Sequence, residues 1–107
     1  MRTHGPRMNR ERTREVLDKL GIAVVKSDGH GVEIHRPVTQ PSSDPGSTVI
    51  RHYTVIERWR VYTGGGIAGN SDQVWLSPVV RVHGQPRGPY WNKTQLSKAL
   101  RTWGRGE

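Results

Sequence analysis

Apolar residues recur at helical spacing only near the two ends of this chain. Val16, Leu17 and Leu20 make a stripe within a polar run, Asn9 stands where an N-cap belongs, and Gly21 stands where a left-handed C-cap belongs. This spacing predicts a first helix over roughly residues 10–20, with Ile22 folding back onto Leu17. Leu96, Ala99, Leu100 and Trp103 recur at i, i+3, i+4 and i+7 behind Asn92, and Gln95 completes a capping-box spacing. A second helix follows over roughly 93–103, closed by Gly104.

Between the helices the period changes to two. Ile22–Ser27 is a short apolar run, Asp28-Gly29-His30-Gly31 supplies turn residues, and Val32–Arg36 alternates, which predicts a tight hairpin. Pro37, Pro41, Pro45 and the serines among them predict a surface loop or insertion over 37–48. From Val49 to Thr63 the chain is β-rich. Val49, Tyr53, Val55, Trp59 and Val61 share one parity; His52, Thr54, Arg58 and Arg60 share the other. Ile50, Ile56 and Tyr62 interrupt the alternation, and so long a strand predicts a bulge near Ile56-Glu57. A glycine-rich loop over 64–72 leads to a strand from Gln73 to His83, where Pro78 marks an edge or a bulge, and Gly84–Pro89 reads as a loop.

The expected fold is therefore α+β: a small antiparallel sheet of about four strands, order α-β-β-β-β-α, with both helices on one face and a polar face opposite. It forms one domain over 9–104, after a basic arm at 1–8 and before a short tail at 105–107.

Composition narrows this picture. Of 107 residues only 32% are apolar and none is Phe, so the core is small and leans on Trp59, Trp75, Trp91 and Trp103. The absence of Cys removes disulfides, cysteine zinc sites and thiol nucleophiles, and it points to a reducing, cytoplasmic setting. No apolar stretch reaches membrane-spanning length and the first residues lack a secretory apolar region, so neither embedding nor export is expected.

Charge changes the picture most. Seventeen Lys and Arg against nine Asp and Glu give +8, a field that draws polyanions. Most of these cations are Arg, suited to bidentate phosphate contacts, although a GC-rich genome produces the same bias. From Gln73 to Gly106 there is no acidic residue, while Arg81, Arg87, Lys93, Lys98, Arg101 and Arg105 are all present. Lys98, Arg101 and Arg105 fall on one arc of the second helix, opposite its apolar stripe. The bland alternative is that cations in a last helical turn only complement the helix dipole.

A second cluster, Arg10, Arg12 and Arg14 after Arg2 and Arg7, lies where the dipole disfavours cations, so it either meets a polyanion or is tolerated at the surface. A third interleaves Arg51, His52, Arg58, Arg60 and Tyr62, as on sheets that stack bases, against the alternative that the aromatics are core.

The glycine-rich loop lacks the Lys-Ser/Thr and the helix of a phosphate-binding loop. The five histidines show no metal-helix spacing, and neither metal nor cofactor is expected. His30 is the one weak candidate for a catalytic acid or base, against the reading of a solvated turn residue. The first helix, Gly21, a strand, Gly29-His30 and a later Val82-His83-Gly84 before a helix resemble the small HicA-type toxins. That resemblance implies a double-stranded-RNA-binding-like fold and a ribonuclease using His30; the insertion at 37–48 and the long third strand depart from the pattern.

Three functions stand in order from these residues. First is a non-enzymatic nucleic-acid-binding protein, DNA or RNA, whose six to eight phosphate contacts give a log–log salt slope of about −5 to −7. Second is a small adaptor or inhibitor of phage or mobile-element type that binds an acidic protein or a nucleoprotein complex, a reading that exposed Tyr90-Trp91 would serve. The His30 ribonuclease is third.

Overall fold

Asn9 opens the first element in the computed structural model, which describes residues 8–42, 46, 48–63, 74–79 and 85–107. Its Oδ1 accepts from the Arg12 amide at 2.7 Å, starting α1 (Arg10–Lys19). At the other end Gly21 adopts φ 72°, and the amides of Ile22 and Gly21 reach back to the Leu17 and Asp18 carbonyls. This is the left-handed closure that the glycine permits. Asn92 caps α2 (Lys93–Gly104) in the same way, its Oδ1 accepting from the Gln95 amide at 2.9 Å. Gly104 does not close this helix. It remains helical, and the left-handed residue is Gly106, whose amide bonds to the Trp103 carbonyl, so the helix runs one residue past Trp103.

Among the described residues, five strands form one antiparallel meander in chain order: β1 (Val24–Ser27), β2 (Gly31–Ser42), β3 (Arg51–Thr63), β4 (Val74–Pro78) and β5 (Arg87–Tyr90). The α+β class and antiparallel sheet match expectation, with a fifth strand added. β5 reads as loop in sequence because Gly88 and Pro89 are poor strand formers. It is a short edge strand, where a missing amide is tolerated.

The largest departure is the β2–β3 ribbon. Residues 37–42, expected in a loop, continue β2, and pairing runs unbroken from Gly31↔Tyr62 to Ser42↔Arg51, so there is no bulge at Ile56-Glu57. Ile56 and Tyr62 break the alternation because they lie on the solvent face. The prolines fit for a backbone reason. His30, just before β2, accepts from Thr63, and Gly31 accepts from Asp28, so even-numbered β2 residues bond to β3 and odd ones face the β1 side. Pro37 and Pro41 are odd and lie beyond the residues paired with β1, where no ladder needs their amides. Pro78 likewise follows the last β4 residue paired with β5. The ribbon lengthens the molecule to 59 Å, against 26 and 23 Å across.

One sheet face carries the core. Val32 and Ile34 of β2, Trp59 and Val61 of β3, and Val74 and Leu76 of β4 pack against Val16 and Leu17 of α1 and Leu96, Leu100 and Trp103 of α2. Met8, at the end of the expected arm, is buried among them, its amide bonded to the Trp91 carbonyl at 3.0 Å. Trp75 and Trp91, expected in the core, are not: Trp75 is half-buried and Trp91 is 40% exposed. A buried ion pair joins the sheet to the end of α2. Arg36 meets Glu57 at 2.7 Å with both side chains under 10% exposed, donates to the Trp103 carbonyl, and lies 5.2 Å from the ring centres of both Trp59 and Trp103.

Candidate nucleic-acid interface

Most of the cations singled out in the sequence have partners inside the fold. Arg10 donates to the Gly29 carbonyl at 2.7 Å, tying α1 to the β1–β2 turn. Arg12, half-buried, is also engaged. Arg58 and Arg60 stand on the open sheet face because their parity opposes Trp59 and Val61. There Arg58 meets Glu33 at 3.3 Å, while Arg60 meets Asp28 at 3.0 Å and lies 5.6 Å from the Tyr62 ring centre. Arg87 lies over Trp59 and donates to the main-chain oxygen of Glu107 at 2.7 Å. Lys93 pairs with Glu15 across the helices, and Arg105 with Glu107 at 3.1 Å. Arg81, Arg2, Arg7, His4, His83, the arm through residue 7 and the glycine-rich loop lie outside the described residues.

The carboxylates of the sheet face respond to these partners. Glu33 is held below the ordinary carboxylate range by the hydrogen bond from His35 and then by Arg58. Asp28 is also lowered, chiefly by the His30 amide and further by Arg60, against a desolvation that pushes the other way. Both stay ionised near neutral pH and cancel the arginines beside them.

Different treatment meets Arg14 on α1 and Lys98 and Arg101 on α2. All three are exposed, with no ion pair among the described residues. Lys98 and Arg101 border a cleft between the helices of about 770 Å³, with Lys19 and the Lys93–Glu15 pair on its sides and Thr94 and Ser97 between them. Among the described residues Glu15 is the one carboxylate lining it. The geometry therefore brings Lys98 and Arg101 together, adds Lys19 from α1, and leaves Arg105 to its own pair.

Sequence reasoning missed two arrangements. His35 Nε2 lies 2.7 Å from Glu33 Oε2, a pair that the spacing of two along an alternating strand could have shown. Arg36, which shares the parity of Val32 and Ile34, is the buried hub already described. His30, the weak catalytic candidate, is exposed in its turn, with its main-chain amide on Asp28 Oδ1. Among the described residues no three His, Cys, Asp or Glu side chains gather into a metal-binding group, and no helix is long and apolar enough to cross a membrane.

Comparisons with protein-family models, with curated proteins and with solved structures give no match.

Proposed function

We propose that the protein binds nucleic acid without reacting on it, holding phosphates through α2 in a reducing, cytoplasmic setting. One observation carries this reading. While Arg58, Arg60, Lys93 and Arg105 meet carboxylates, Lys98 and Arg101 stand exposed with no ion pair among the described residues, on a helix without an acidic residue. Three lone cations at the interhelical cleft, Lys19, Lys98 and Arg101, support a log–log salt slope of about −3, shallower than the cation count alone suggests.

Fluorescence polarisation with duplex DNA, single-stranded DNA and RNA across a salt series tests it. The wild type binds with that slope, and the Lys98→Ala/Arg101→Ala variant falls to a slope of about −1. A flat salt dependence in the wild type overturns the reading.

A second reading draws on the ribbon, where Val49, Ile50, Tyr53 and Ile56 are exposed. These exposed apolar side chains, which the alternation of the strand puts on both faces of the ribbon, support a protein contact, as in an adaptor of phage or mobile-element type that binds a nucleoprotein complex. Recovery of the same protein partner after nuclease treatment would favour it over direct nucleic-acid binding.

A further inference from the structure

The β2–β3 ribbon runs on past both of its neighbours, and its two outer edges are built differently. On the β2 side the outward-facing residues beyond β1 include Pro37 and Pro41, which offer no amide. On the β3 side the last bond to a neighbour runs from the Val79 amide to the Arg58 carbonyl, so even-numbered β3 residues face outward. Beyond it His52, Thr54 and Ile56 turn their amides and carbonyls away from β2, with no pairing strand among the described residues and no proline from Arg51 to Thr63. We infer that this edge pairs antiparallel with the same edge of a second copy of the chain, forming a two-fold dimer. Such a dimer depends on neither of the functions proposed above.

A long exposed edge is a template for another strand unless proline, charge or a bulge blunts it, and here only the β2 edge carries proline. Parity restricts a two-fold pairing to registers that set even residues opposite even ones. With the axis at Tyr53, His52 of one copy exchanges main-chain bonds with Thr54 of the other, and Ile50, which directly precedes β3, falls opposite Ile56. These two isoleucines are 62% and 55% exposed in the single chain, and in the dimer they cover each other twice. The exposed Tyr53 rings meet at the axis on the opposite face. Arg51 falls opposite Val55, so no like charges face each other. An axis at Thr54 would instead set Ile50 against Arg58 and Ile56 against His52, so the apolar side chains select the Tyr53 register.

The same patch serves both copies, so the pairing closes at two. A ladder this short lies at the small end of specific interfaces, which puts assembly in the micromolar range. Each copy carries +8, so salt screens the repulsion between them and is expected to strengthen the dimer. Binding of nucleic acid has the opposite salt dependence, which separates the two in experiment.

Sedimentation velocity of nuclease-treated protein, at a series of concentrations through the micromolar range, tests this with wild type, Thr54→Pro, Ile56→Lys and Ile50→Glu/Ile56→Lys. The wild type is expected to pass from monomer to dimer, and more readily at higher salt. Thr54→Pro removes an outward amide from each copy without touching a β2–β3 bond, so it is expected to keep its melting temperature and to weaken assembly about tenfold or more. Ile56→Lys is expected to weaken it similarly, and Ile50→Glu/Ile56→Lys to restore it, because in the Tyr53 register each new acid faces a new base. A wild type that stays monomeric at every concentration overturns the dimer and returns the ribbon to a partner of the adaptor kind. Assembly beyond two copies, or a dimer that survives both Thr54→Pro and Ile56→Lys, overturns the edge pairing. A dimer lost in Ile56→Lys and not restored by the double substitution overturns the Tyr53 register.

Discussion

On the open face of the sheet, Arg58 and Arg60 reach Glu33 and Asp28 at 3.3 and 3.0 Å; on the outer face of α2, Lys98 and Arg101 reach no carboxylate among the described residues. Both regions look basic in a residue count. The charges of Arg58 and Arg60 are offset in space because strand register places Glu33 of β2 beside Arg58 of β3, and the β1–β2 turn brings Asp28 to Arg60. Helix α2 has no such neighbour of its own, and only Lys93 finds one on α1. A basic patch is thus a matter of which cations lack partners, and net charge measures only the far field.

Substitutions can break this comparison, and the largest effect should come from the sheet. Removing Arg36 by Arg36→Ala breaks the buried 2.7 Å ion pair with Glu57 and takes a donor from the end of α2, at a cost of about 3 kcal/mol in chemical denaturation. Where the variant remains folded, its affinity for nucleic acid should be unchanged; a loss of binding without a loss of stability would refute the division between the two regions.

Next in size is Lys98→Ala/Arg101→Ala, expected to weaken binding about tenfold or more at about 0.1 M salt. Its unfolding free energy should stay within about 0.5 kcal/mol of wild type, as for exposed sites generally.

The third prediction sharpens the contrast through pH. Glu33 and Asp28 titrate lower in the folded protein than in the unfolded chain, so the unfolded state takes up protons first as pH falls. Their contribution is whole above the unfolded carboxylate value and is lost through acid, below about pH 4. Thermal melts from pH 7 to pH 3 should show this loss, and Glu33→Gln should reduce it. The same variant releases Arg58, so its salt slope should steepen by up to about one. An unchanged slope would mean that the sheet face lies away from the ligand.

Smallest of all is Arg105→Ala. With both members of the Arg105–Glu107 pair well exposed, neither melting temperature nor salt slope should move measurably.

Much of the architecture was legible. Both N-caps, the left-handed Gly21, the β1–β2 turn at Asp28–Gly31 and the one-faced apolar pattern depend on residues within a few positions of each other, where local propensity is strong. What failed depended on distant neighbours. Pro37 and Pro41 look like strand breakers until their amides are seen to point to the unpaired side of β2, and Arg87–Tyr90 looks like a loop until β4 offers it an edge. The four tryptophans are alike in sequence, but the core takes only Trp59 and Trp103.

The candidate site divides in the same way. The absence of acidic residues from Gln73 to Gly106 marked Lys98 and Arg101 among six cations, while the fold ties Arg87 of that run, and Arg10, Arg58 and Arg60 of the other two clusters, to partners. By itself the sequence determined the helices with their N-caps, the antiparallel class and the sign of the long-range field, because these follow from short-range periodicity and from the total charge. Only the tertiary structure decided which charges remain available, because pairs such as Arg36 with Glu57 or Lys93 with Glu15 join residues far apart in the chain. Their meeting is set by strand register and helix packing, and a charge is neutralised only by what lies within a few ångströms of it.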